Sequence, residues 1–136
     1  MRATAEGSAG QGSSVITNPK FRLWLRPDGI VQLAWVPRAD VLLEDAVAAF
    51  AALAQLTGGR GRPLLVDLRD IGQLARPARL EFARRYDTVS AVALVVGTPL
   101  SRIIGNLFMS MNKPLTPTRL FDKEAPAVAW LMRFIG

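Results

Sequence analysis

Short apolar runs alternate along this chain with longer segments in which apolar residues recur every three or four positions. The runs predict buried strands, and the spaced segments predict amphipathic helices. The clearest case is Ala91–Met111, where an apolar run ends at Gly97 and helical spacing follows. Thr98 suits the cap of this helix and Pro99 its first position. The stretch therefore predicts a strand covered on both faces, a tight turn and a helix.

The same pattern continues through the rest of the chain. The turn residues Pro27, Asp28 and Gly29 join the first two predicted strands into a hairpin. The predicted strands are Phe21–Leu25, Ile30–Val36, Pro63–Leu68, Ala91–Val96 and Thr118–Phe121. The predicted helices run from a cap at Asp40 to about Leu56, from Pro77 to about Thr88, from Leu100 to Met111, and from Ala125 to Ile135.

This order of elements predicts an α/β fold in which an N-terminal β-hairpin is followed by αβαβαβα. Alternating strands and helices favour parallel pairing with right-handed crossovers, so we expect a mostly parallel, five-stranded sheet. Residues 1–18 are rich in Gly, Ser and Ala and show no periodicity, which predicts a disordered tail. Residues 19–136 are then expected to form a single domain.

The composition narrows the chemistry. The 136 residues include no cysteine and no histidine, which excludes disulfides, thiol catalysis, imidazole acid–base pairs and Cys or His metal sites. We expect no catalytic residues, no metal and no cofactor. No apolar run reaches the roughly 18 residues of a membrane span, so we predict a cytoplasmic protein without a transmembrane segment. The formal charge of +6 can attract anions, but no nucleic-acid motif is present.

A hairpin followed by three α–β units resembles the STAS domain, the fold of bacterial anti-sigma-factor antagonists. VALVVGTPLSRIIGNLF and TRLFDKEAPAVAWL are similar to segments of the uncharacterised bacterial STAS/Sec14-like branch. The resemblance covers about Lys20–Gly136. It implies a SpoIIAA-like βα fold in a group largely without assigned activity.

STAS antagonists carry a phosphorylatable serine at the start of the helix that follows the strand matching Leu64–Leu68. The corresponding loop here, Arg69–Pro77, contains no Ser, Thr or Tyr, so the resemblance does not carry over the phospho-switch. Asp70 in this loop could at most mimic the charge of a phosphoserine permanently. We therefore predict a non-enzymatic regulatory or protein-interaction domain. An apolar-ligand or lipid-binding domain of Sec14-like type is the alternative.

Two groups of residues are candidates for binding an anion. The first is the turn Gly97, Thr98, Ser101 and Arg102, where backbone N–H groups at a helix start suit a phosphate or carboxylate. A capping role at the start of the helix explains the presence of Thr98 and Ser101 equally well. The second is the basic set Arg76, Arg79, Arg84 and Arg85. It fits a patch for an anion or an acidic partner, but a solvated helix face is the simpler interpretation.

Carboxylates follow two of the predicted strands, at Asp67 and Asp70 and again at Asp122 and Glu124. Paired carboxylates perform acid–base chemistry in hydrolases. Here no nucleophile or base completes the set, so a hydrolase is the weakest of the three functions considered.

The last two helices carry more apolar residues than one sheet face can cover. The residues that suggest an outward apolar surface are Phe108, Met109, Trp130 and Phe134. They predict either the contact of a homodimer or a groove for an apolar ligand between these helices. The third possibility is that the fold itself buries these four residues.

Overall fold

The fold is seen in a computed structural model in which residues 14–85 and 88–135 are described. The strands are β1 (Val15–Thr17), β2 (Phe21–Leu25), β3 (Val31–Trp35), β4 (Asp40–Val41), β5 (Leu64–Asp67), β6 (Gln73–Leu74), β7 (Val92–Val95) and β8 (Thr118–Phe121). The helices are α1 (Leu43–Thr57), α2 (Arg76–Arg85), α3 (Pro99–Leu107) and α4 (Glu124–Leu131). A π-helical turn, Phe108–Asn112, continues α3, and a 3₁₀ turn, Met132–Phe134, continues α4.

Six strands form the main sheet in the order β1-β2-β3-β5-β7-β8. The pairs β1–β2 and β2–β3 are antiparallel, whereas β3–β5, β5–β7 and β7–β8 are parallel. The predicted α/β architecture with a mostly parallel sheet is thus confirmed. Ala34, Asp67, Val95 and Phe121 are paired neighbours across the four parallel strands, so the carboxyl ends of these strands meet at one edge.

The sheet has one strand more than the five predicted. Val15–Thr17 pairs with β2, so the structure begins before the predicted boundary at residue 18. The rest of the predicted tail, residues 1–13, lies outside the described residues. The sequence shows no periodicity here because only three residues pair, which is too few for a pattern.

A second, two-stranded sheet was not predicted. Asp40–Val41 pairs in parallel with Gln73–Leu74, and α1 begins at Leu43 rather than after an Asp40 cap. Asp45 supplies the capping interaction instead, because its carboxylate accepts the backbone N–H of Leu42 at 2.9 Å. Around this pairing, the carbonyl of Ala39 accepts the N–H groups of Gly72 and Gln73 at 2.9 and 3.0 Å.

The two faces of the sheet carry different numbers of helices. The larger core lies between the sheet and helices α1, α2 and α3; among its members are Phe21, Leu33, Phe50, Phe82 and Phe108. The smaller core lies on the opposite face against α4; among its members are Ile30, Leu65, Val95, Ala127 and Leu131. Alternation along the strands separates these two sets, as expected for a sheet covered on both sides. Within the described ranges, no helix has the length and apolar character needed to cross a membrane.

Candidate functional site

The turn between β7 and α3 is a helix cap. Thr98 Oγ1 accepts the N–H of Ser101 at 3.2 Å, and Ser101 Oγ accepts the N–H of Thr98 at 3.1 Å. This reciprocal pair is a capping box. Ser101 is fully buried, and its hydroxyl also donates to the carbonyl of Val96 at the end of β7.

The capping interactions occupy the groups predicted to hold an anion. The Arg102 N–H donates to the carbonyl of Thr98 at 2.9 Å, and Pro99 has no N–H to offer. The Arg102 guanidinium forms an ion pair with Asp122. Gly97 lies against the segment that follows β8, since a β-carbon there would lie 3.0 Å from the carbonyl oxygen of Asp122. The four residues are therefore brought together, but the backbone N–H groups of Thr98, Ser101 and Arg102 already have partners within the chain.

The carboxylates at the strand ends are held by different arginines. Asp67 accepts two hydrogen bonds from the side chain of Arg69, at 3.0 and 2.8 Å. Asp122 pairs with Arg102, and Glu124 lies 3.8 Å from Arg26. Three separate ion pairs result, whereas two carboxylates sharing a proton would lie side by side.

Asp67 is the carboxyl whose electrostatics differ most clearly from the ordinary case. Burial acts to raise the pKa of Asp67, but the hydrogen bonds and charge of Arg69 outweigh burial and leave this pKa below its usual value. Asp67 is therefore ionised at neutral pH, which suits an ion pair better than a proton donor.

The basic set lies on α2, where three of its members have contacts inside the chain. Arg79 donates to the carbonyl of Leu74 at 2.9 Å. Arg84 and Arg85 both contact the buried carboxylate of Glu81, at 2.6 and 3.2 Å. Arg76 is exposed at the start of the helix. The set is thus a helix face with internal ion pairs rather than four arginines converging on one point.

The four predicted interface residues do not form one surface. Phe108 and Met109 belong to the core between the sheet and α1–α3, whereas Trp130 and Phe134 pack with α4 on the opposite face. The third and fourth helices thus lie on opposite faces of the sheet, and within the described residues they form no common groove. The apolar cavity beside Phe108 has a volume of about 20 Å³, far below the roughly 300 Å³ of a small-molecule pocket.

The structure places an exposed apolar surface elsewhere on α3 and on the π-helical turn that continues it. We call it the α3 surface; its members and their exposed fractions are Leu100 (48%), Ile103 (65%), Leu107 (37%) and Met111 (70%). Three of them directly precede a buried residue, Ser101, Ile104 or Phe108. Since each residue turns a helix by about 100°, the exposed stripe lies roughly a quarter turn from the side that contacts the sheet.

Small residues determine which side of α3 contacts the sheet. Gly105 and Ser101 are one helical turn apart and both are buried. A β-carbon on Gly105 would lie 2.9 Å from Val96 and 3.1 Å from Leu120, so α3 approaches the sheet closely along this line. The larger apolar residues are left on the flank. The sequence analysis missed this orientation, and the pair Ser101 and Gly105, four positions apart, is the signal from which it could have been predicted.

Two of the comparisons with known proteins concern the family and the fold. Residues 23–135 match the model of DUF7793, described as a domain of unknown function. An uncharacterised DUF3478-family protein with a SpoIIAA-like fold from Shewanella loihica PV-4 aligns with a TM-score of 0.55 and 13% identity. That match covers 88% of this chain and 92% of the other. The likeness confirms the SpoIIAA-like fold implied by the STAS resemblance, and at this identity it concerns the fold alone.

A second solved structure is similar in sequence. A protein of unknown function from Arthrobacter sp. FB24 is 35% identical over 80% of this chain and 90% of its own, with a TM-score of 0.34. No curated protein matches the chain.

Proposed function

The chain belongs to the DUF7793 family, and we propose that its SpoIIAA-like, STAS-like domain is non-enzymatic and acts by binding a protein through the α3 surface. The observation that carries the proposal is the outward stripe Leu100, Ile103, Leu107 and Met111. It exposes on the order of 400 Å² of apolar side chain, within the range of the largest apolar patch on a typical monomer, and such a patch is often functional.

The chemistry of the stripe limits what it binds. Its four members are uncharged, and the nearest base on the helix, Arg102, is neutralised by Asp122. Burying such a surface against another apolar helix face is favourable at about 25 cal/mol per Å², whereas a charged partner would lose its hydration without gaining an ion pair. The partner is therefore a protein that presents an apolar, uncharged helix face.

Several contacts support a role without catalysis. The carboxylates of Asp67, Asp122 and Glu124 are each occupied by a different arginine. The chain has no Cys or His to complete a nucleophile–base pair. The Arg69–Pro77 loop lacks a hydroxyl side chain, so any regulation by this domain works through contact rather than phosphorylation of that loop.

Site-specific photo-crosslinking in living cells tests this proposal. A photoreactive amino acid replaces Ile103 in one strain and Leu80 in another, since Leu80 is an apolar residue on α2 of comparable exposure, 47%. We expect protein adducts at position 103, identified by mass spectrometry as another protein or as the chain itself, and few at position 80. Equal adduct yields at the two positions, or none at 103, would contradict the proposal.

A further inference from the structure

We infer that one end of the molecule docks on the surface of an anionic phospholipid membrane. It is the end at which the parallel strands begin and the helices finish, opposite to the edge where Asp67 and Asp122 lie. The inference goes beyond the proposed function, because this end is a second surface and its occupant is not a protein. Three observations support it: the contacts that bring its segments together, its unpaired bases, and the exposed apolar side chains beside them.

Contacts between the connecting segments hold this end together. The guanidinium of Arg62 lies 3.4 Å from the carbonyl oxygen of Gly29 in the hairpin turn, and a β-carbon on Gly29 would lie 3.2 Å from the side chain of Ile135. The carbonyl of Pro117 accepts the N–H of Val92 at 2.8 Å, so the segment before β8 lies beside the start of β7. Because β7 is also the neighbour of β5, the hairpin turn and the segments that follow α1, α3 and α4 form one continuous surface.

The bases of this surface exceed its acids, and we call it the basic end. Four of its bases form no ion pair with any described residue: Arg60, Arg62, Lys113 and Arg133. Arg62 is half-buried and the other three are exposed. The acids of the connecting segments here are Asp28, which is already paired with Arg26 at 3.0 Å, and Asp87, which lies outside the described residues. An excess of positive charge therefore remains for an external anion.

The opposite end has no such excess. Its exposed bases without an ion pair to a described residue are Arg38, Arg76 and Lys123. They are matched by as many exposed acids in the same state, which are Asp40, Glu44 and Asp70. The positive field is thus concentrated at the basic end.

Exposed apolar side chains accompany the bases. Leu115 lies two residues after Lys113 and is 75% exposed. Met132 and Ile135 are exposed on either side of Arg133 along the chain. Bases attract the headgroups of anionic lipids, and apolar side chains beside them enter the boundary between headgroups and acyl chains.

This combination favours a membrane over a nucleic acid. Single-stranded nucleic acid is held by charge together with stacking of its bases on aromatic rings. The described ring at the basic end, Phe134, already packs against Trp130, with the ring centroids 4.9 Å apart. The exposed side chains beside the bases are aliphatic or thioether groups instead, which gain from contact with lipid.

Vesicle co-sedimentation tests the inference. The purified chain is mixed with vesicles of phosphatidylcholine, either alone or with about 30% phosphatidylserine, which supplies the negative surface potential. We expect binding to the anionic vesicles only, and weaker binding as salt is added. Arg60→Gln combined with Lys113→Gln should weaken this binding at least about 10-fold. Leu115→Ser should weaken it about 3-fold, because less apolar area enters the interface.

Matched variants distinguish the basic end from the other surfaces. Arg76→Gln combined with Lys123→Gln removes the same charge from the opposite end, and Ile103→Ser alters the α3 surface. Both proteins should bind the anionic vesicles as the wild-type chain does, and circular dichroism verifies that every variant is folded. No binding by the wild-type chain, or an equal loss in either control, overturns the inference.

A DNA duplex is the competing anion. If it binds as tightly as the anionic vesicles, and Leu115→Ser leaves vesicle binding unchanged, the basic end recognises charge alone and the inference is overturned. If vesicle binding fails while position 103 crosslinks to a protein in cells, the inference falls and the proposed function stands.

Discussion

Gly105 of α3 lies so close to Val96 at the end of β7 that a β-carbon on the glycine would stand 2.9 Å from Cγ1 of the valine. Real side chains do not tolerate this separation, and valine has little rotamer freedom with which to move away. The contact fixes both the distance of α3 from the sheet and the side that α3 turns outward.

Replacing this glycine tests the contact directly. Gly105→Ala should lower the free energy of unfolding by about 1–2 kcal/mol, since the cost of overpacking exceeds the 0.5–1 kcal/mol that alanine gains over glycine in a helix. Urea unfolding measures the difference. Asn106→Ala on the exposed side of the same helix is the control, and it should leave stability unchanged or slightly raised. A Gly105→Ala protein as stable as that control would show that α3 does not pack closely.

The cap at the start of α3 predicts a stability effect without a ligand effect. Ser101→Ala removes the hydroxyl that accepts from Thr98 and should cost about 1–2 kcal/mol on unfolding. Titration of the wild-type chain with inorganic phosphate should leave the amide NMR signals of Thr98 and Ser101 in place, because both N–H groups are engaged. A saturable shift of these signals would show that phosphate does bind at this turn.

The Asp67–Arg69 pair predicts a pH dependence of known sign. The pKa of Asp67 is lowered in the folded chain, so the pair stabilises the fold above about pH 4 and the contribution is lost as pH falls through the lowered pKa. Arg69→Met keeps the aliphatic stem that lies beside Gly97 but removes the charge. The remaining effect of burial should then raise the pKa of Asp67.

We expect the stability difference between the wild-type chain and Arg69→Met to grow from pH 3 to pH 6 and to level off at about 1 kcal/mol or less, as for other partly exposed pairs. Thermal unfolding across this range measures it. In an Asp67→Asn background the same arginine substitution should show a much weaker pH dependence, left by the charge interactions of Arg69 with Glu124 and Asp70. A difference that shrinks with rising pH would mean that the sign is wrong.

Arg84 and Arg85 on α2 should contribute unequally to the free energy of unfolding. The arginine that lies farther from Glu81 should contribute more. Arg84 lies closer to this carboxylate, at 2.6 Å against 3.2 Å, but its side chain is 69% exposed. Arg85 also stacks over the ring of Phe50, at 5.0 Å from the ring centroid. Arg85→Ala should cost about 1 kcal/mol and Arg84→Ala about half of that or less, by urea unfolding. Equal costs would show that the contact of Arg85 with the ring of Phe50 adds nothing measurable to stability.

Most of the fold could be predicted because it depends on local patterns. The apolar run ending at Gly97 and the cap at Thr98 are both readable from a few adjacent residues, and both are present. The strands Val15–Thr17, Asp40–Val41 and Gln73–Leu74 could not be predicted in this way. Each is two or three residues long, and pairing partners, rather than their own sequence, determine their conformation.

The surplus of apolar residues in α3 was also readable, but not which of them are exposed. Amphipathic spacing gives one apolar side, centred on Leu100, Ile104 and Leu107, and the natural expectation is that this side faces the sheet. The close approach at Gly105 turns the helix so that only part of that side is covered. The sequence prediction therefore placed the outward surface at Phe108 and Met109, whereas Phe108 is buried and Met109 is half-buried.

The short pairing of β4 with β6 has a mechanical consequence. It joins the segment before α1 to the segment before α2, and Gly72 leaves no room between them, since a β-carbon there would lie 2.6 Å from the carbonyl oxygen of Arg38. These two helices are thus expected to shift only as one rigid body. α3 packs on β7 and β8, and the π-helical turn that continues it contacts α2, so a pull applied to its outer side reaches both the parallel strands and the α1–α2 pair.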